Sequence, residues 1–117
     1  MGQCVIYARV STKKQAWGHG LVRQLECCQA FAKDRGVFVR AVYVDVCSGR
    51  GDLPNRERAV EEAKATGYPV YVEAIDRWTR DGDDETLDDD ELGIVVCSEL
   101  FRELAARIEG ALRDRPL

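Results

Sequence analysis

The sequence predicts a three-layer α/β/α domain around a central, largely parallel sheet of about four to five strands. Three observations predict it. Short β-branched and aromatic runs alternate with stretches of helical periodicity, in the order β-α-β-α-β-(α)-β-α. Glycine and proline signals fall between them, at Gly36, at Ser48-Gly49-Arg50-Gly51-Asp52 and at Gly67-Tyr68-Pro69. The chain has 117 residues, 45% hydrophobic and 32% charged, which suits one globular domain over 1–117 with a usable core. No internal repeat, low-complexity linker or second-domain boundary interrupts it.

Residues 3–10, with the apolar run Cys4-Val5-Ile6-Tyr7-Ala8, read as the first strand. Thr12 to Gly20 is a polar loop in which His19 is a solvated residue. Leu21, Leu25, Cys28, Phe31 and Ala32 recur at helical spacing and predict an amphipathic helix over 21–35, stopped by Gly36; Gln24 and Gln29 fall elsewhere on it. Residues 37–46 form a second strand. Pro54 suits a first helical position, and Ala59, Val60 and Ala63 continue that helix to Gly67. A third strand runs over 69–75. The acidic stretch after it is a short helix or a loop. Ile94 to Cys97 is a short buried strand, and Ser98 caps a last helix carrying Phe101, Leu104, Ala105, Ile108 and Leu112 on one face.

Composition excludes several classes. No apolar run approaches the ~18–20 residues of a membrane span, and the N-terminus lacks a signal-peptide pattern, so a cytoplasmic protein without membrane partners is expected. The five cysteines form no CxxC pair and the single histidine offers little else, so no metal or cofactor is expected and the thiols read as reduced core residues. The net charge of −4 argues against a generic nucleic-acid binder. The acid is uneven, however. Asp81, Asp83, Asp84, Glu85, Asp88, Asp89, Asp90 and Glu91 hold eight of the 21 carboxylates, and the other 13 against 17 basic residues leave the remainder at +4. This run is a solvated face or, on a sharper reading, a DNA mimic or autoinhibitory flap.

Two strand tips carry the unusual polar residues. The first has Arg9, Ser11 and Gln15; the third has Asp76, Arg77 and Arg80. In a parallel sheet both tips lie on one edge, where chemistry gathers in α/β folds. A serine hydroxyl needs activation. Arg9, two residues earlier, lies on the same strand face and is suited to bind an anionic group beside it. Arg77 and Arg80 are i, i+3 neighbours in one helical turn. Asp76 precedes them, placed to cap that turn or donate a proton. Trp78 either stacks on bases or packs under the sheet edge. A serine facing several arginines suits attack on a phosphodiester, with guanidinium groups stabilising the charge on the non-bridging oxygens.

Tyr7-Ala8-Arg9-Val10-Ser11-Thr12-Lys13-Lys14-Gln15, Arg23-Gln24-Leu25-Glu26, Ser48-Gly49 and Ile75-Asp76-Arg77-Trp78-Thr79-Arg80 together resemble the catalytic domain of the serine recombinases, the resolvase/invertase family, over about residues 3 to 98. The resemblance implies a resolvase-like fold and a site-specific DNA recombinase. In it Ser11 attacks a DNA phosphate to form a 5′-phosphoserine link and releases a 3′-hydroxyl. Arg9, Arg77 and Arg80 hold the scissile phosphate. Asp76 orients them or helps protonate the leaving oxygen, Gln15 supports the Ser11 loop and Tyr7 lines the site. One further family arginine follows the Ser-Gly loop; of Arg50, Arg56 and Arg58, Arg56 is favoured. The implied partners are DNA and other recombinase subunits: copies of this chain, as a dimer or a tetramer during strand exchange, or a full-length recombinase.

Three features depart from the family pattern. The segment after Arg80 is short and strongly acidic, which repels phosphate. The last helix is shortened, and no DNA-reading module follows it. Weak, salt-sensitive DNA affinity is expected. Two rival classes follow: a non-catalytic recombinase-like module that joins or regulates a recombinase or another DNA complex, and a hydrolase or nickase using the same serine.

Overall fold

Successive side chains of a strand point to opposite faces, and in β1 (Gln3–Val10) both faces are covered. The computed structural model describes residues 2–11, 19–46, 52–78 and 93–98; the side chains of His19 and Asp76 are not described. After β1 come α1 (His19–Asp34), β2 (Phe38–Val46), α2 (Pro54–Thr66), β3 (Val70–Val72), a 3₁₀ turn (Ile75–Arg77) and β4 (Ile94–Val96). The sheet order is β2-β1-β3-β4 and every pair is parallel. This is the predicted architecture, with four strands among the described residues.

The two faces of β1 nucleate two cores. Val5 and Tyr7 pack with Val70, Val72 and Trp78 against Ala59 and Ala63 of α2. Cys4 and Ile6 pack with Tyr71 and Cys97 against Cys28, Phe31 and Ala32 of α1. A helix therefore lies on each side of the sheet. The alanines at i, i+4 on α2 let that helix approach closely. Gly67 ends α2 at φ 79°, a left-handed cap that favours glycine, and its N–H donates to the Ala63 carbonyl at 2.8 Å. Pro54 stands in the first turn of α2 as expected.

Three boundaries differ from the sequence expectation. Helix α1 starts at His19, so His19 and Gly20 are helical and not part of the polar loop. The third strand stops at Val72 instead of running to 75. Glu73 and Ala74 bend, Ile75 opens the 3₁₀ turn, and the Ile75 side chain is exposed. The apolar lettering of 69–75 continued past the pairing partners that define the strand. Finally, the last helix already includes Cys97, so Ser98 stands inside its first turn instead of capping it. The Ser98 N–H donates to the Glu73 carbonyl at 2.9 Å, which satisfies one of the donors a helix start leaves over.

The described cysteines Cys4, Cys27, Cys28 and Cys97 are all free thiols, and Cys4, Cys28 and Cys97 are buried. Burial, aided by nearby Cys97, pushes the Cys4 thiol up to about 11. A hydrogen bond with Cys97, then burial, pushes Cys28 up as well. The Tyr7 phenol is raised by burial first and then by its hydrogen bond to Asp45. In the unfolded chain these groups ionise at their ordinary values, 9.0 for the thiols and 10.0 for the phenol. Above those values the unfolded state has released protons that the folded state still holds, so stability falls as pH rises. The expected outcome is full stability at neutral pH and a steady loss from pH 9 through 11, read by urea denaturation across that range. The Cys4→Ser variant is expected to have a shallower alkaline loss than the parent.

Candidate active site

The β1 tip is held by one amide. Gln24, 1% exposed within α1, accepts from the Arg9 N–H through Oε1 at 3.1 Å and donates to the Arg9 carbonyl through Nε2 at 3.0 Å. Both main-chain groups of Arg9 are thereby fixed by a side chain. Ser11 follows immediately after the strand, exposed to solvent. Helix α1 thus sets the height and direction at which the strand delivers Arg9 and Ser11.

The β2 tip is held by one carboxylate. Asp45 pairs in register with Arg9 and is 4% exposed. Its Oδ2 accepts from the Tyr7 hydroxyl at 2.8 Å and from the Arg56 N–H at 2.9 Å, while Oδ1 accepts from the Asn55 N–H at 3.1 Å. Leu53, the residue before α2, supplies no side-chain cap. Asp45 supplies it from another element, and its negative charge sits where the N-terminal end of the helix dipole is positive. Asn55 adds a bond from Nδ2 to the Val44 carbonyl at 2.7 Å.

Arg56 links this corner to the third strand tip. Its Nε donates to the Trp78 carbonyl at 2.9 Å, and its guanidinium lies over the Trp78 ring at 4.5 Å. Trp78 in turn meets Tyr7 edge-to-face at 5.5 Å and is 1% exposed, so it packs under the sheet edge and offers no face to a base. Of the two described arginines Arg56 and Arg58, Arg56 is the one joined to the Trp78 corner. Arg58 is exposed and binds its own Asn55, and Arg50 lies outside the described residues.

The predicted residues are therefore distributed as follows. Arg9 and Ser11 stand together at the β1 tip. β1 pairs directly with β3 and packs against the 3₁₀ turn, which brings Arg77 and Trp78 to the same edge. The charges of Arg9 and Arg56 oppose the burial that raises the Tyr7 phenol. Tyr7 itself is fully buried beneath the edge with its hydroxyl on Asp45, and does not stand in the lining position expected of it. Asp76 is the middle residue of the 3₁₀ turn, and the residue before the turn is Ala74, so Asp76 does not cap it. Gln15, Arg80, Trp17 and the acidic run lie outside the described residues. Among the described residues, no group of three or more His, Cys, Asp or Glu side chains is placed to hold a metal. No described helix is long and apolar enough to cross a membrane.

Three buried polar residues were missed by the sequence reading: Gln24, Asp45 and Glu73. Signals were present. Gln24 is i, i+4 with Cys28 and i, i+7 with Phe31, on the buried stripe. Asp45 and Glu73 are single acids inside otherwise apolar strand runs.

The model of the resolvase N-terminal domain matches residues 4–102. The chain belongs to this family, the serine recombinases. Among solved structures it is similar to the C-terminal catalytic domain of ISC1926 TnpA, an IS607-like serine recombinase, with 26% identity over 91% of this chain and 79% of that one and a TM-score of 0.66. It is similar to the catalytic domain of IS1535 TnpA, another IS607-like serine recombinase, with 31% identity over 80% of this chain and 70% of that one and a TM-score of 0.63. The N-terminal catalytic domain of TP901-1 integrase, at 20% identity, shares the fold over 96% of this chain and 97% of that one with a TM-score of 0.64. No curated protein matches the sequence at a significant level. Family and structures together support site-specific recombination as the function of this recombinase domain.

Removing a partner from a buried polar group costs about 1–3 kcal/mol. Asp45→Asn turns an acceptor into an NH₂ facing donors, and Gln24→Leu leaves both Arg9 main-chain groups without their clamp. Each variant is expected to lose about 2 kcal/mol of stability by urea denaturation. Gln29→Leu, an exposed change on the same helix, is expected to stay within about 0.5 kcal/mol of the parent.

Proposed function

We propose that the domain cleaves and rejoins DNA through Ser11. The Oγ gives up its proton to solvent as it attacks a backbone phosphorus, forms a 5′-phosphoserine bond and expels the 3′-oxygen, which takes up a proton to become a hydroxyl. Rejoining runs the same step backwards from a new 3′-hydroxyl, so the phosphodiester energy is kept in the serine ester. The observation that supports this most is the exposed Ser11 two residues after Arg9, whose main chain is clamped at both polar groups by Gln24.

Arg9, Arg77 and Arg80 bind the non-bridging oxygens and the charge that grows on them. Preorganised donors of this kind contribute more than the same donors in water, because no reorganisation is needed at the moment of reaction. Arg56 completes the cationic rim while its stacking on Trp78 fixes its plane. Asp76 orients the arginines or supplies the leaving-group proton, and Gln15 supports the loop that carries Ser11. Tyr7 holds Asp45 from below, and Asp45 sets the start of α2 on which Arg56 stands. The working unit is one catalytic domain over 1–117, acting on DNA together with other recombinase subunits.

A second reading has support in the eight carboxylates between 81 and 91, which disfavour close approach to DNA. On it the domain joins a recombinase complex without cutting. One assay separates the two. Protein is mixed with supercoiled and nicked DNA, including DNA flanking its own gene, and quenched with SDS. The expected result is protein that stays on DNA until protease is added, absent for Ser11→Ala and about 100-fold reduced for Arg77→Ala. A serine-independent adduct, or no adduct with or without an added full-length recombinase, would overturn the catalytic reading.

A further inference from the structure

Glu73 lies immediately after β3 and is 8% exposed, in a position that none of the recombinase motifs uses. Its main chain is pinned by the Ser98 N–H, which donates to its carbonyl at 2.9 Å. Its side chain faces two arginines from two different elements. Oε2 lies 2.7 Å from Arg23 Nε, and Oε1 accepts from Arg23 Nη2 at 3.5 Å. The same Oε1 lies 3.8 Å from Arg77 Nε.

The two contacts are unequal. Arg23 approaches the carboxylate with two nitrogens and one short contact. Arg77 stands at ion-pair distance, beyond hydrogen-bond reach. A buried carboxylate needs a counter-charge. If Arg77 were its only one, the pair would cancel the charge that a phosphate must meet. With Arg23 present, two guanidinium groups share one carboxylate, and the shorter contact is to Arg23.

We infer that Arg23 neutralises Glu73 so that Glu73 can hold Arg77 in place without cancelling its charge. Glu73 and Arg23 are thus positioning residues for a phosphate-binding arginine. The pair also ties the 3₁₀ turn to α1, one residue from the Gln24 clamp on Arg9, so the same helix sets both strand tips. The functional consequence rests on the proposed role of Arg77. The unequal sharing of Glu73 rests on geometry alone.

The test uses Arg23→Gln, Glu73→Gln and the double variant, with Lys33→Gln on the same helix as a control for one lost positive charge. Two readouts are taken: the rate of Ser11-dependent adduct formation on nicked duplex DNA, and the NMR position of the Arg77 Nε–Hε signal without DNA, assigned by Arg77→Lys. Arg23→Gln leaves Glu73 to Arg77 alone and is expected to slow adduct formation about tenfold and move the Arg77 signal downfield. Glu73→Gln is expected to slow it about threefold and move the signal upfield, and the double variant to match Glu73→Gln, recovering most of the loss. A merely structural role predicts damage that adds, so a double variant worse than either single overturns the inference. So does an Arg23→Gln rate equal to that of Lys33→Gln, or an Arg77 signal that neither variant moves. If the parent forms no Ser11-dependent adduct, the catalytic reading fails, and the NMR signal still decides the sharing of Glu73.

Discussion

The buried carboxylate of Asp45 ties β2 to both β1 and α2. It accepts from Tyr7 on β1 and from the first turn of α2, and through Arg56 it reaches Trp78 beyond β3. Hydrogen bonds to an ionised acceptor are the stronger kind, and these three leave the carboxylate well satisfied despite its burial. A carboxylate with fewer donors would be a liability at 4% exposure. Here it fixes where α2 begins and therefore where Arg56 stands.

Three polar residues divide the work of positioning among the strands. Gln24 sets the β1 tip, Asp45 the β2 tip and Glu73 the end of β3. None of them needs to touch a substrate. Each holds main-chain groups or arginines that face the edge where Ser11 is exposed. The apolar cores above and below the sheet supply the rigid frame, and the polar residues supply direction. This matches what phosphoryl transfer asks of a protein, since positioning and charge stabilisation carry most of that chemistry.

The layers and the parallel sheet were readable because period-two and helical spacing are strong over β1, β2, α1 and α2. Ser11 and Arg9 were readable as strand-tip residues for the same reason, whereas Arg77 stands in the 3₁₀ turn beyond the end of β3. The supporting residues were not. Gln24 looked like part of a polar face because its side chain is polar, although its spacing from Cys28 and Phe31 put it on the buried stripe. Asp45 and Glu73 interrupt apolar runs, and a single acid in such a run reads as an exception until its partners are seen. Those partners come from distant elements: Asn55 and Arg56 for Asp45, Arg23 for Glu73. The end of β3 was misplaced because hydrophobicity continued to Ile75 while pairing stopped at Val72. The position expected of Tyr7 differs for a related reason, since its ring belongs to the core and its hydroxyl is taken up by Asp45.

Buried side chains fix the strand tips in the DNA-free protein. Amide hydrogen exchange of the DNA-free protein checks this at the N–H groups of Arg9, Asn55 and Arg56, which donate to side-chain acceptors. These three amides are expected to exchange as slowly as Ile6 and Tyr7 in the middle of β1, opening only with global unfolding. Exchange at the rate of an exposed loop, with Ile6 and Tyr7 still protected, would contradict it, because the tips would then be ordered by DNA and not by Gln24 and Asp45.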